Sequence, residues 1–150
     1  MLVVLDSGPL GLLSNPTATG PAYAARDWAT TRLRTGDLLC VPEIADYEVR
    51  RELLRIGKAR GIRRLDTIKA TARYAPLTTE TMLLAAQLWA DVRRRGQPTA
   101  DPHALDGDVI LAAQAMLLAS AGDSVVVATM NAMHLTRFVD ARAWEDIPVS

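Results

Sequence analysis

Five side chains have types and positions that could do chemistry together. Asp6, Glu48, Asp106 and Asp108 are carboxylates, and Asn131 is a neutral oxygen donor. Carboxylates gathered without basic partners repel one another and persist as anions only around a cation. Ligands that are all oxygen favour Mg²⁺ or Mn²⁺ over zinc. A cation held this way activates water and steadies a leaving oxygen, which suits phosphodiester hydrolysis. Each residue also has a plainer use. Asp6 can form a turn after a strand. Asp106 can cap a helix, and Asp108 can sit in a first turn where the helix dipole favours an acid. Glu48 can belong to a solvated helix face.

The elements that must position these groups follow from the apolar pattern. Leu2–Leu5 is a short β-branched run, expected to be a buried strand that ends at Asp6. Pro9 is placed to open a helical turn over 10–13, and residues 22–34 read as a helix anchored by Trp28 and Leu33. A second strand is expected over 38–41, then a helix over 43–56 that carries Glu48. A strongly basic helix follows over 62–74, and residues 75–77 form a short extended piece. Thr78 or Thr79 caps a helix reaching Arg95. After a loop over 96–104, a helix over 105–121 begins with Asp106 at its cap. Residues 124–129 give another buried strand and 144–149 a last edge strand. Strands alternating with helices predict one α/β domain with a central parallel sheet. Ligands of such sheets sit at the carboxyl ends of the strands, which is where Asp6 and Asn131 fall.

Length and composition agree with this. A chain of 150 residues, 49% hydrophobic and 23% charged, is expected to fold as one domain and not to stay disordered. Its 17 basic and 17 acidic residues exclude a uniformly basic nucleic-acid coat. The charge is uneven, however: residues 50–73 are rich in Lys and Arg, and the C-terminal third is acidic. The single cysteine, Cys40, rules out an intrachain disulfide and a Cys-based zinc site, and it suits a cytoplasmic protein. The opening apolar run is too short for a signal peptide or a membrane span.

Four segments together carry a resemblance. Residues 3–10, VVLDSGPL, end a strand in Asp and follow it with Ser. Residues 42–51, PEIADYEVRR, place Glu48 early in a helix. Residues 105–115, LDGDVILAAQA, set Asp108 before a small-residue helix, and residues 125–135, VVVATMNAMHL, run a strand into Thr129 and Asn131. In this order they resemble the PIN-domain family, most closely its short VapC-type toxins. The resemblance implies a three-layer α/β/α fold and Mg²⁺/Mn²⁺-dependent endoribonuclease activity on RNA. It implies a homodimer and silencing by an antitoxin protein. It makes Asp6, Glu48 and Asp108 metal-binding acids, with Asn131 standing where many members have a fourth Asp. Asp106 is expected either to replace that acid or only to cap its helix. Ser7 and Thr129 would be supporting hydroxyls.

Arg50, Arg51 and Arg55 follow Glu48 closely and are candidate phosphate contacts, although solvated helix faces explain such charges too. His103 and His134 are not expected to be ligands, and Trp28, Trp89 and Trp144 are expected in the core or at a dimer contact. The competing function is a catalytically weak or inactive PIN-like module that binds RNA or protein. Asn131 is the residue that favours it.

Overall fold

A computed structural model describes residues 1–17, 19–96 and 102–149. The strands are β1 (Leu2–Leu5), β2 (Leu38–Pro42), β3 (Arg73–Ala75), β4 (Val125–Thr129) and β5 (Ala141–Ala143). The helices are α1 (Ser7–Ser14), α2 (Gly20–Arg34), α3 (Glu43–Arg55), α4 (Ala59–Thr71), α5 (Thr79–Arg94) and α6 (Pro102–Ser120). The five strands form one parallel sheet in the order β3-β2-β1-β4-β5. Helices cover both faces, as the short apolar strands predict.

Side chains alternate across the sheet and so supply two cores. Val3, Leu5, Leu39, Val41, Val126 and Ala128 face Leu10 and Leu13 of α1, Ala25 and Ala29 of α2, Ala45 and Val49 of α3, and Leu65 of α4. Leu2, Val4, Cys40 and Val127 face Leu111 and Ala115 of α6. Helix α5 packs outside α6 through Ala85 and Val92 against Leu105, Val109 and Ala113. These layers make the expected three-layer α/β/α arrangement. Buried Gln114 ties the second layer to the sheet: its Nε2 donates to the Ala75 carbonyl at 2.7 Å and its Oε1 accepts from the Ile44 amide at 3.4 Å.

Four expectations need correction. The basic helix expected over 62–74 is α4, Ala59–Thr71, and Arg73–Ala75 is strand β3, so the extended piece lies before 76 and not over 75–77. The last strand is Ala141–Ala143, and Trp144–Asp146 is a single helical turn, not part of an edge strand over 144–149. Trp144 turns inward there to meet Trp28 edge-to-face, with ring centroids 5.6 Å apart. Leu33 does not anchor α2. It is exposed, and the buried stripe is Ala22, Ala25, Ala29 and Arg32. Helix α6 begins at Pro102, a residue pre-shaped for a first helical turn. Asp106 therefore lies inside the helix and is not its cap. Residues 97–101 of the loop expected over 96–104 lie outside the described residues. Among the described residues no helix is long and apolar enough to cross a membrane.

Candidate active site

Parallel pairing brings the ends of β1 and β4 side by side, with Leu5 opposite Ala128. Asp6 follows directly and is fixed by both carboxylate oxygens. Oδ1 accepts from the Ser7 amide at 2.7 Å, which caps α1, and Oδ2 accepts from the Thr129 hydroxyl at 2.7 Å. Thr129 is buried and its hydroxyl also accepts from the Asn131 amide at 3.2 Å. The Thr129 hydroxyl thus holds the Asp6 carboxylate in place. Ser7 does so through its backbone, while its side chain lines the groove beside Glu48.

Glu48 reaches the same end from α3. Its side chain is 26% exposed, and among the described residues the cation paired with it is Arg51, at 3.9 Å and on the same helix. Burial pushes the Glu48 carboxyl above the ordinary range, the Asp6 charge adds to this, Arg51 opposes it, and Asp108 adds again. Asp108 is raised in the same way, by burial and then by Asp6, against the opposing charges of His134 and Arg137. Asp6, Glu48 and Asp108 are thus within reach of one another's fields, in partly buried positions with weak cationic compensation. Among the described residues they do not close into a ligand group of three or more acids. Mutual repulsion is the physical reason such carboxylates stand apart. The donor set itself, three carboxylates with Asp6 held by Thr129, fits a hard divalent cation.

Two predicted residues behave differently. Positions two apart on a helix point to nearly opposite sides, so Asp106 cannot share the direction of Asp108. It opens instead on a pocket with Met82, Ala85, Trp89 and Val109 between α5 and α6. Asn131 lies near the site but is exposed, and its Oδ1 accepts from the Met133 amide at 3.3 Å, capping the turn Ala132–His134.

The three candidate arginines are engaged with carboxylates. Arg50 donates to Asp46 at 2.8 Å and Asp66 at 2.7 Å. Lys69 also reaches Asp46, at 3.5 Å, so this is a network joining α3 to α4. Arg55 pairs with Glu52 on the surface. Arg51 stays beside Glu48, stacked 5.0 Å from the Tyr47 ring centre. Sequence reasoning missed Gly107. A Cβ there would lie 3.2 Å from Glu48 Oε2, so the glycine lets α6 approach that carboxylate. A glycine inside a helical run was the available signal.

No protein-family model matches the chain, and no curated protein matches it in sequence. Solved structures do match in fold. VapBC2 from Rickettsia felis, solved with a DNA fragment from their promoter, aligns at 12% identity and TM-score 0.67, over 94% of this chain and 96% of that one. VapBC-1 from nontypeable Haemophilus influenzae aligns at 16% identity and TM-score 0.67, over 97% and 100%. VapC20 from Mycobacterium tuberculosis, described as a sarcin-ricin loop cleaving toxin, aligns at 15% identity and TM-score 0.65, over 93% and 98%. Over nearly its whole length, the chain has the three-layer PIN-like fold seen in VapC toxin structures.

Proposed function

We propose that this protein is a Mg²⁺- or Mn²⁺-dependent endoribonuclease, the toxin of a type II toxin–antitoxin pair. The observation that carries this is the convergence of three acids at the carboxyl end of the sheet, where Asp6 and Asp108 both raise Glu48 and Asp6 also raises Asp108. Asp6, Glu48 and Asp108 would hold the cation, and Asp106 is left out because it faces the α5 side of its helix. When bound, such a cation supplies Lewis-acid charge to a phosphodiester and lowers the pKa of an attacking water. The chain's own part is positional. Thr129 fixes the Asp6 carboxylate, Gly107 leaves room for that of Glu48, and Arg51 offers positive charge beside it to a phosphate. The neighbouring VapBC structures support an antitoxin partner. A homodimer working in the cytoplasm completes this reading.

The second reading, a non-catalytic RNA- or protein-binding module, is favoured by Asn131, whose oxygen is spent on its own turn. A Mn²⁺ titration separates the two. Wild type and Asp6→Asn/Asp108→Asn are compared on a pool of structured RNAs. Metal-dependent cleavage by wild type alone is expected. RNA bound but uncut at every metal concentration would favour the binding module.

A further inference from the structure

The basic segment holds an arginine cluster that the acidic site does not use. At the far end of α1 from Asp6, a pocket of about 270 Å³ is lined by Pro16, Arg60, Arg63, Arg64 and Thr67. Arg64 is anchored there: its Nε and Nη2 donate to the Leu13 carbonyl at 3.2 and 3.1 Å. Arg26 is fixed close by, donating to the Asn15 carbonyl at 2.6 Å. Arg60 and Arg63 are exposed, and their guanidinium groups have no carboxylate partner among the described residues. Burial pulls Arg64 below the usual arginine range, and the charge of Arg26 pulls it further. Arginines held together without counter-charge form the electrostatic mirror of the acid cluster, and they suit a phosphate group.

A groove of about 390 Å³ at Glu48 is lined by Ser7, Gly11, Val49 and Leu53, with Arg51 and Glu52, a residue paired with Arg55, at its edge. Ser7 and Gly11 lie four residues apart on one face of α1, which begins beside Asp6 and ends at Asn15, next to Pro16 of the arginine pocket. Nothing lies within 4 Å of where a Gly11 Cβ would be, so the groove is open midway. The eight residues of α1 span about 12 Å at roughly 1.5 Å per residue, a distance that a few nucleotides cover.

We propose that the pocket of Arg60, Arg63 and Arg64 binds a backbone phosphate of single-stranded RNA, a few nucleotides from the bond presented to the acids along α1. The proposal rests on the ribonuclease reading for its substrate. Its test reads binding and needs no cleavage. Fluorescein-labelled unstructured RNA is titrated in chelator across a salt series with wild type, Arg60→Gln/Arg63→Gln, and the charge-matched Arg34→Gln/Arg95→Gln on other helix ends. Arg64 is left intact because it holds Leu13. The pocket pair is expected to lose affinity roughly tenfold at low salt, with the log–log salt slope flattened by about 0.7 for each phosphate no longer neutralised, while the control pair stays near wild type. Equal weakening in both pairs, or none in the pocket pair, would overturn the pocket. Competition by poly-glutamate as strong as by RNA of equal charge would overturn its assignment to RNA. Failure of wild type to bind RNA would overturn both readings. A selective weakening in the pocket pair, without metal-dependent cleavage by wild type, would support the pocket and sink the nuclease.

Discussion

Gly107 and Thr129 are single residues with separable jobs. Alanine inside a helix gains about 0.5–1 kcal/mol over glycine, so Gly107→Ala is expected to hold or raise the melting temperature. Its new methyl group presses on Glu48 Oε2, so RNA cleavage is expected to fall in the same sample. Unchanged cleavage would show that Glu48 is not held where the structure puts it. Thr129→Val keeps the shape but removes the hydroxyl from Asp6 Oδ2 and from the Asn131 amide. A stability loss of about 0.5–1.5 kcal/mol in urea is expected from the two partly buried hydrogen bonds that are lost. A drop in activity or metal affinity on the order of 10–100-fold is expected beside it. Asp6, Glu48 and Asp108 are legible in the sequence because each sits at a marked place, a strand end or the first turns of a helix. Asp106 is misleading for a local reason: its cap-like place draws the eye away from Pro102, where α6 starts.

Among the elements, α1 sets the distance between acids and arginines, and Gly11 lies on its open face. Since no atom would meet a Cβ there, Gly11→Ala is expected to stabilise the protein by about 0.5–1 kcal/mol, measured by thermal or urea denaturation. A destabilised variant would mean that the groove wall is closer than described. The existence of each helix and of the three inner strands β1, β2 and β4 follows from apolar runs and turn residues. The depth of each helix face does not. Tyr47, Leu54 and Ile56 of α3 keep helical spacing yet are exposed, because only one stripe of the helix meets the sheet. The same limit hides Arg32, which shares the stripe of Ala25 and Ala29 while neighbouring Leu33 points to water.

At the scale of the whole molecule, Arg32 clamps the C-terminal segment onto the first layer. Its guanidinium is fully buried, pairs with Asp37 at 2.9 Å, and donates to the carbonyls of Ile147 and Pro148. No sequence pattern marks those carbonyls as needing a donor, so this contact exists only once the chain has folded. Arg32→Gln takes the guanidinium from the buried Asp37 carboxylate, which keeps the Met1 amine at 3.2 Å, and is expected to cost about 1–3 kcal/mol in denaturant unfolding. Burial alone would raise the Asp37 carboxyl, but hydrogen bonds from Arg32 and the Met1 amine, with their charges, outweigh it and hold it below its ordinary 3.8. A depressed folded value means that this stabilisation is complete above the unfolded pKa and is lost as pH falls through the folded one. Wild type is therefore expected to lose stability below about pH 3.8, and Asp37→Asn to show a flatter acid limb in the same titration.

The hydrogen bond between Thr129 and Asp6 joins residues 123 positions apart. During translation β1 emerges well before β4, one of its two partners in the middle of the sheet. At ribosomal speeds of roughly 5–20 residues per second, that gap takes about 6–25 s. Throughout it the central strand has a bare edge and Asp6 has no hydroxyl to orient it. A nascent chain of this topology cannot complete the end of the sheet that carries Asp6 until β4 has left the ribosome.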